Sequence, residues 1–555
     1  MSTIPLSDTE AEPRASWTPM MVIGLAQMLM VFNISTLQVS IDGIVSSFNA
    51  PATMIGTAIV TYSLVVAGLI MLGARVGQRV GSLRVFRAMV LLFGGAMGIM
   101  ALSPNAIFML IGQVLAGVSA AALVPTLVVL IANSYRGHQK AKALGWLGGA
   151  QAMGIVLAFL IAGSLATWIG WRVTFGLLVL LAGGIYRLSD RLAPVAAEAG
   201  VRIDYVGVVL AASAILLISL GCNNLTDWGV LLAAPGAPFS VLDMSPAPIM
   251  ILIGIFLMQA FISWTRKRGA AGRTPLVALE VTESPEERAA LFSMFAIGAL
   301  GSAITFLIPL YIQIVQGRSS LETAVAVIPF SVASFAAAVL VVRLHDRLSP
   351  RDIARYAFLL MSVALVVLGA VIRNDWSTAT VIVSMAAAGL SEGALITLLF
   401  NVLMTASPKE LAGDVGSVRG TTNNLAAGVG TAVAGALVVG MLGTLVHRAL
   451  VDNPRIPQEL KSEVNLDSIS FTSNDQLRRS LSGTSATPAH VDEAVRINSE
   501  ARLQALKVSF FTLAGLALLA YFPAGRLPAR FAGEAAGNAR KPEASEAGAA
   551  SPRIL

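Results

Sequence analysis

The chain has 555 residues, of which 56% are hydrophobic and only 12% are charged, with a mean hydropathy of +0.77. A soluble domain carries roughly 25% charged residues, so this composition excludes a water-surrounded globular protein and predicts a membrane protein. The excess of Lys and Arg over Asp and Glu, 38 against 31, is modest and lies mainly in loops, so we expect no nucleic-acid partner. One cysteine excludes an intrachain disulfide, and four scattered histidines give no metal-ligand spacing, so we expect no metal and no cofactor.

The predicted elements are transmembrane helices, each of which needs about 20 mostly apolar residues. The acidic stretch before Trp17 has the wrong charge for a signal peptide, so it predicts a cytoplasmic tail. Fourteen later segments are long and continuous, which favours helices over the alternating strands of a membrane barrel. They are roughly 19–41, 53–74, 85–103, 107–133, 143–167, 172–188, 205–221, 247–264, 290–314, 323–342, 353–372, 378–403, 415–446 and 507–523.

Basic residues are concentrated in the loops on one side of these spans. The positive-inside rule places those loops and both termini in the cytoplasm of a plasma membrane, with a bacterial inner membrane as the default. The expected organisation is a tail (1–18), a six-helix half (19–190), two linker spans with their loops (191–288), a second six-helix half (289–525) containing a long external loop (447–506), and a disordered cytoplasmic tail (526–555). That external loop ends in a predicted helix that begins at His490 and leads into the last span. The loop is either a lid or partner contact, or a solvated spacer.

A basic stretch occurs twice, in each case between the second and third spans of a half. Arg75, Arg79 and Arg87 recur at one constant offset as a second set of arginines: Arg343, Arg347 and Arg355. This register predicts an internal duplication, and parallel repeats of that kind build one class of secondary transporter. The alternative is a chance match, because cytoplasmic loops are generally rich in Lys and Arg.

Short motifs follow the duplication in a fixed order: a basic loop at 74–87, small-residue segments at 113–125 and 145–163, Trp171-Arg172 with Phe175, and Pro-Leu-Tyr-Ile-Gln at 309–313. Together they resemble the motifs of the major facilitator superfamily. The two linker spans make the chain most similar to its fourteen-span drug:proton antiporters. The resemblance implies an all-α fold of two six-helix halves plus two central spans, no enzymatic activity, and export of hydrophobic or cationic compounds. It also implies that Arg75, Gln78, Arg79, Asp346 and Arg347 control conformational switching.

The sequence departs from this family at charged positions of the first half. The family has an acid at the positions of Gln78 and Asn33 and an arginine at the position of Gln113. Its Gly-Pro pair is replaced by Ala158-Phe159. Asn and Gln can hydrogen-bond between helices, but they cannot titrate. Proton coupling must therefore use another group or be absent.

Glu392, near the middle of the twelfth span, is the main candidate for that group. A charged residue at a helix centre costs about 2.5–3.5 kcal/mol on the insertion scale, so such residues usually have a function. The alternatives are an ion pair with Arg419 or a polar contact between helices. Asp42, at the outer end of the first span, either binds a cation or is solvated. Asp414 and Arg419, near the cytoplasmic face, fit a gate or a simple capping pair.

The substrate path can be predicted only in outline. Its expected lining residues are Asn33, Gln38, Gln113, Gln151, Phe159, Tyr311, Asn401 and Asn423. No phosphate-binding loop is present, so ATP-driven transport by this chain is not expected.

Three functions are compatible with these observations. The first is an efflux transporter for hydrophobic or cationic small molecules, working by alternating access and coupled to protons. The second is an uncoupled or differently coupled facilitator of lipid-like or metabolite substrates, which the missing titratable groups favour. The third is a non-transporting sensor or assembly protein. Membrane lipids are expected partners in each case, and the need for a periplasmic adaptor is left open.

Overall fold

The computed structural model describes residues 16–49, 53–197, 200–229, 231–234, 236–273, 275–277, 284–344, 347–373, 379–406, 412–451, 474–482 and 487–529. Helices account for most of this part of the chain: α1 (Thr18–Val39), α2 (Ile41–Phe48), α3 (Thr53–Val80), α4 (Ser82–Leu102), α5 (Ala106–Ser134), α6 (Gly137–Trp168), α7 (Trp171–Leu188), α8 (Tyr205–Asn223), α9 (Leu225–Trp228), α10 (Pro246–Ala270), α11 (Pro285–Leu310), α12 (Ser320–Leu344), α13 (Pro350–Val371), α14 (Ala379–Ala406), α15 (Ala412–Val451), α16 (Asn474–Ser482) and α17 (Pro488–Ala524).

Fourteen of these helices are long and apolar enough to cross a membrane. They are all the helices above except α2, α9 and α16, and they confirm the predicted all-α architecture of fourteen spans. The chain is therefore an integral, multi-pass membrane protein. We call the side that holds the arginine-rich loops the basic side.

Several predicted features fall partly or wholly outside the described residues. Asp346 lies outside them, as do residues 1–15 and 530–555, which cover most of the two predicted tails. Within the predicted external loop, α15 continues to Val451 and α17 already begins at Pro488.

Local capping explains where several of the spans begin. Ser284 and Glu287 form a reciprocal capping box at the start of α11, with proline in the first turn. The Asn105 side chain accepts two backbone N–H groups at the start of α5. Thr487 caps α17 in front of Pro488. These side chains satisfy helix N–H groups that have no intrahelical partner.

The two halves are built alike. Arg87 of α4 donates through Nε to the Ser189 hydroxyl at 2.9 Å, just after α7 ends. Its counterpart in the repeat, Arg355 of α13, lies with its guanidinium 5.3 Å from the Tyr521 ring near the end of α17. Both arginines therefore join the third span of a half to the end of its sixth span. This equivalence agrees with the predicted duplication.

The two additional spans, α8 and α10, form a hairpin on the seam between the halves. Ile215 of α8 is buried in a small cluster with Leu64 and Ala67 of α3, and Leu425 of α15 packs against it. Because α3 belongs to the first half and α15 to the second, the hairpin contacts both.

The second half depends on a close contact between α12 and α14. A Cβ atom on Gly393 would overlap the backbone of Ser334, and one on Gly389 would overlap Phe330. Two glycines one helical turn apart let the helix backbones approach closely, as small residues do in membrane interfaces.

Replacing Gly393 with alanine is expected to destabilise the protein by about 1–3 kcal/mol, because the added methyl group overpacks this contact. The measurement is the thermal unfolding midpoint of the purified protein in detergent. Gly184→Ala in α7 is the control, since nothing lies within 4 Å of its new Cβ. Equal midpoints for the two variants would show that α12 and α14 can separate without cost.

Candidate functional site

In the first half, the two polar residues that replace charged family positions bind each other. Asn33 of α1 donates through Nδ2 to Gln113 Oε1 at 2.9 Å, and Gln113 of α5 donates through Nε2 to Asn33 Oδ1 at 3.0 Å. Both residues are 0% exposed. The reciprocal pair satisfies both carbonyl groups and one N–H of each amide without any ionisable group. It can hold α1 against α5, but it cannot carry a proton.

In the second half, Glu392 of α14 projects toward α11 and α12. The Ser334 hydroxyl of α12 lies 3.4 Å from Oε2, and Gly301 of α11 leaves the room that the carboxylate occupies. Glu392 is half-buried. Within the described part of the chain no ion pair to it is formed, so the alternative of a pair with Arg419 is not realised in this structure.

Arg419 of α15 contacts an aromatic ring, and it forms no ion pair with the residues that the structure describes. Its Cζ lies 3.9 Å from the centre of the Phe400 ring of α14, a distance typical of a cation–π contact. Asp414, on the same helix, points toward the first half and pairs with Arg75, so the capping pair with Arg419 is not formed in this structure and the gate stays a prediction.

Arg75 links three parts of the molecule on the basic side. Its Nη2 lies 3.3 Å from Asp414 Oδ1 of the second half. It also donates to the backbone oxygens of Pro275 and Leu276, which follow the linker hairpin, at 3.1 and 3.3 Å. Gln78, at the position of the family's acid, accepts from Arg75 Nη1 at 3.1 Å. The carboxylate that pairs with Arg75 is therefore Asp414 of the second half, because Gln78 is not an acid.

The other two predicted switch residues in the described part of the chain, Arg79 and Arg347, are exposed on the same side.

On the opposite side the halves meet through a second set of polar contacts. Gln313, just beyond α11, donates through Nε2 to the Gln38 backbone oxygen at 3.0 Å and accepts from the Asp42 N–H at 3.1 Å. The Gln38 amide reaches Thr305 of α11 at 3.4 Å. Gln38 and Asp42 therefore lie at a junction between halves. Sequence reasoning missed the role of Gln313, although the Pro-Leu-Tyr-Ile-Gln motif contains it.

The remaining path candidates are dispersed. Tyr311 is buried, and its hydroxyl donates to the Arg373 backbone oxygen at 2.9 Å. Phe159 is buried in the core, whereas Gln151 is half-buried. Asn423 directs Oδ1 toward Gly298 of α11. Asn401 is half-buried on α14.

Arg75→Ala is expected to loosen the basic side by about 1–2 kcal/mol, because it removes an ion pair whose side chains are only 15% and 19% exposed. The measurement is the rate at which a membrane-impermeant maleimide labels cysteine placed at Val124 in a Cys222→Ser background. We expect labelling several-fold faster than in the parent. Arg84→Ala is the control, because Arg84 is exposed on the same side and is not among the predicted switch residues. Unchanged labelling in Arg75→Ala would mean that Arg75 and Asp414 do not hold this side closed.

Comparison with known proteins identifies the architecture. Residues 23–431 match the Major Facilitator Superfamily. The chain is 25% identical, over 80% of its length and 84% of the relative, to the multidrug efflux pump LfrA of Mycolicibacterium smegmatis. It is 23% identical to a probable actinorhodin transporter of Streptomyces coelicolor, over 83% of this chain and 78% of that protein.

Among solved structures, the fold resembles an inward-facing bacterial homologue of the human lysosomal transporter Spinster. The TM-score is 0.56 at 15% sequence identity, covering 92% of this chain and 96% of the other. This likeness concerns the fold, and it confirms the architecture that the motifs predict.

Proposed function

Because this chain belongs to the Major Facilitator Superfamily, a family of membrane transporters rather than enzymes, we propose that it exports hydrophobic or cationic small molecules in exchange for protons. Relatives that are named as a multidrug efflux pump and a probable actinorhodin transporter support export of drug-like compounds. The observation that carries proton coupling is Glu392, a carboxyl group within a span that has no basic partner in the described part of the chain. The basic side then faces the cytoplasm of a bacterial inner membrane.

Alternating access gives the two junctions between halves separate tasks. The Arg75–Asp414 pair closes the basic side, and the contacts of Gln313 with Gln38 and Asp42 close the opposite side. Opening either side requires breaking one set while the other is kept. Each set consists of a few hydrogen bonds, so substrate binding can shift the balance between them.

Glu392 can couple this cycle to protons through a simple exchange. The protonated carboxyl group releases its proton to the cytoplasmic side when a cationic substrate binds, and it takes up a proton from the outer side after the substrate leaves there. Ser334 is placed to hydrogen-bond either form, because a hydroxyl can donate to a carboxylate or accept from a carboxylic acid.

A facilitator without proton coupling is the second candidate function. The observation in its favour is the Asn33–Gln113 pair, which puts two non-titrating amides where the family has charged groups.

The test uses wild-type protein in liposomes with an imposed pH gradient and ethidium as a hydrophobic cation. We expect ethidium to trigger proton movement that a lumenal pH dye records. Ethidium transport without proton movement would favour the facilitator, and absence of transport for neutral and cationic dyes alike would contradict both functions.

A further inference from the structure

Arg419 is a charged side chain within a span, and it has no counter-ion among the described residues. The residue is half-buried, its guanidinium rests on the Phe400 ring, and no carboxylate of the described residues lies within ion-pair distance. Asp414, the nearest acid along α15, is engaged by Arg75. An isolated charge is costly in a membrane and is usually kept where it pairs or binds. The ring contact attracts the cation without neutralising it.

The surroundings of Arg419 place it beside the seam between the halves. The next residue, Gly420, faces Ile70 of α3 and Val124 of α5, both in the first half. One turn farther along α15, Asn423 and Ala426 face Gly298 of α11. Arg419 therefore lies between the first-half surface and α14, on the basic side of the seam.

Phe400 provides an apolar surface next to the charge. Both residues are half-buried, so part of the surface of each is exposed. A fixed cation beside an aromatic ring matches a ligand with an acidic group attached to an apolar body. Arginine suits this task because its planar guanidinium binds carboxylate, sulfonate or phosphate groups through paired hydrogen bonds.

We propose that Arg419 and Phe400 form a binding site for amphipathic anions, in which the guanidinium binds the acidic group and the ring contacts the apolar body. The transport of such anions rests on the proposed function, whereas their binding does not. The site extends the substrate range beyond the cations that Glu392 suits. It lies between α14 and α15, whereas Glu392 of α14 faces α11 and α12.

The test compares three probes that share one fluorophore: dansylglycine (anionic), dansylamide (neutral) and dansylcadaverine (cationic). Their binding to full-length protein in zwitterionic nanodiscs is measured by fluorescence, with empty nanodiscs subtracted. We expect wild type to bind dansylglycine about tenfold more tightly than dansylamide, the gain of a partly desolvated charge pair. Arg419→Gln should abolish this preference, Arg419→Lys should keep part of it, and dansylcadaverine should bind Arg419→Gln at least as well as wild type.

The controls separate binding at Arg419 from general electrostatics and from misfolding. Arg343→Gln removes an exposed arginine on the same side and should leave the preference unchanged. Unchanged dansylamide affinity shows that Arg419→Gln is folded. The proposal is overturned if wild type shows no preference for dansylglycine or if Arg419→Gln retains it. A preference that depends on Arg419 supports the site even if dansylglycine is not transported, because the proposed function is tested separately by ethidium-driven proton movement.

Discussion

Glu392→Gln is expected to abolish substrate-driven proton movement while the protein still folds and binds substrate. Glutamine has nearly the same shape and can keep the hydrogen bond to Ser334, but it cannot exchange a proton. With one proton exchanged per substrate, a gradient of one pH unit sustains about a tenfold substrate gradient, since each unit is worth 1.36 kcal/mol. The variant should sustain none. The measurement is steady-state ethidium accumulation in proteoliposomes with an imposed pH gradient.

Glu322→Gln is the matched control for this experiment. Glu322 is a carboxylate at the exposed start of α12, and its removal should leave coupling intact. If Glu392→Gln still accumulates ethidium against its gradient, another group carries the proton. Asp42 would then be tested next as Asp42→Asn.

Gln113→Met is expected to destabilise the protein by about 1–3 kcal/mol, because it leaves the Asn33 amide buried without its partner. Adding Asn33→Leu should restore much of the loss, since two apolar side chains leave no unsatisfied polar group. The measurement is the unfolding midpoint of each single variant and of the double variant in detergent.

A double-mutant cycle, combined with a transport assay, tests whether Asn33 and Gln113 serve helix packing or line the substrate path. Coupling between the two positions with transport preserved in the double variant would assign the amides to packing. Additive losses would show that the reciprocal hydrogen bonds contribute nothing specific. A stable double variant that no longer transports would instead place Asn33 and Gln113 on the substrate path.

The spans were predictable because their signal is local. Apolar length decides whether a segment can cross the membrane, whereas helix ends in water are decided by caps. The last helix shows the difference: its apolar stretch begins near 507, but the helix begins at Pro488, where Thr487 supplies the cap. Likewise α6 begins at Gly137, several residues before the predicted span.

The partners of the site residues were not predictable in the same way. Asn33 and Gln113 are 80 residues apart, and Arg75 and Asp414 are 339 apart. Sequence spacing points to a neighbour on the same helix, so Arg419 is the nearest candidate for a capping pair with Asp414. Only the packing of α3 against α15 brings Asp414 to Arg75.

The hairpin of α8 and α10 also makes the two lateral flanks of the transporter, which face the lipid, different from each other. Two lateral seams separate the halves, one between α3 and α15 and one between α6 and α12, where the Leu321 N–H donates to Thr167 at 3.0 Å. The hairpin stands in front of the first seam, because Ile215 packs against α3 and lies beside Leu425. We therefore expect compounds dissolved in the lipid to enter through the α6–α12 seam. The α3–α15 seam, which the hairpin covers, should be less accessible from the lipid.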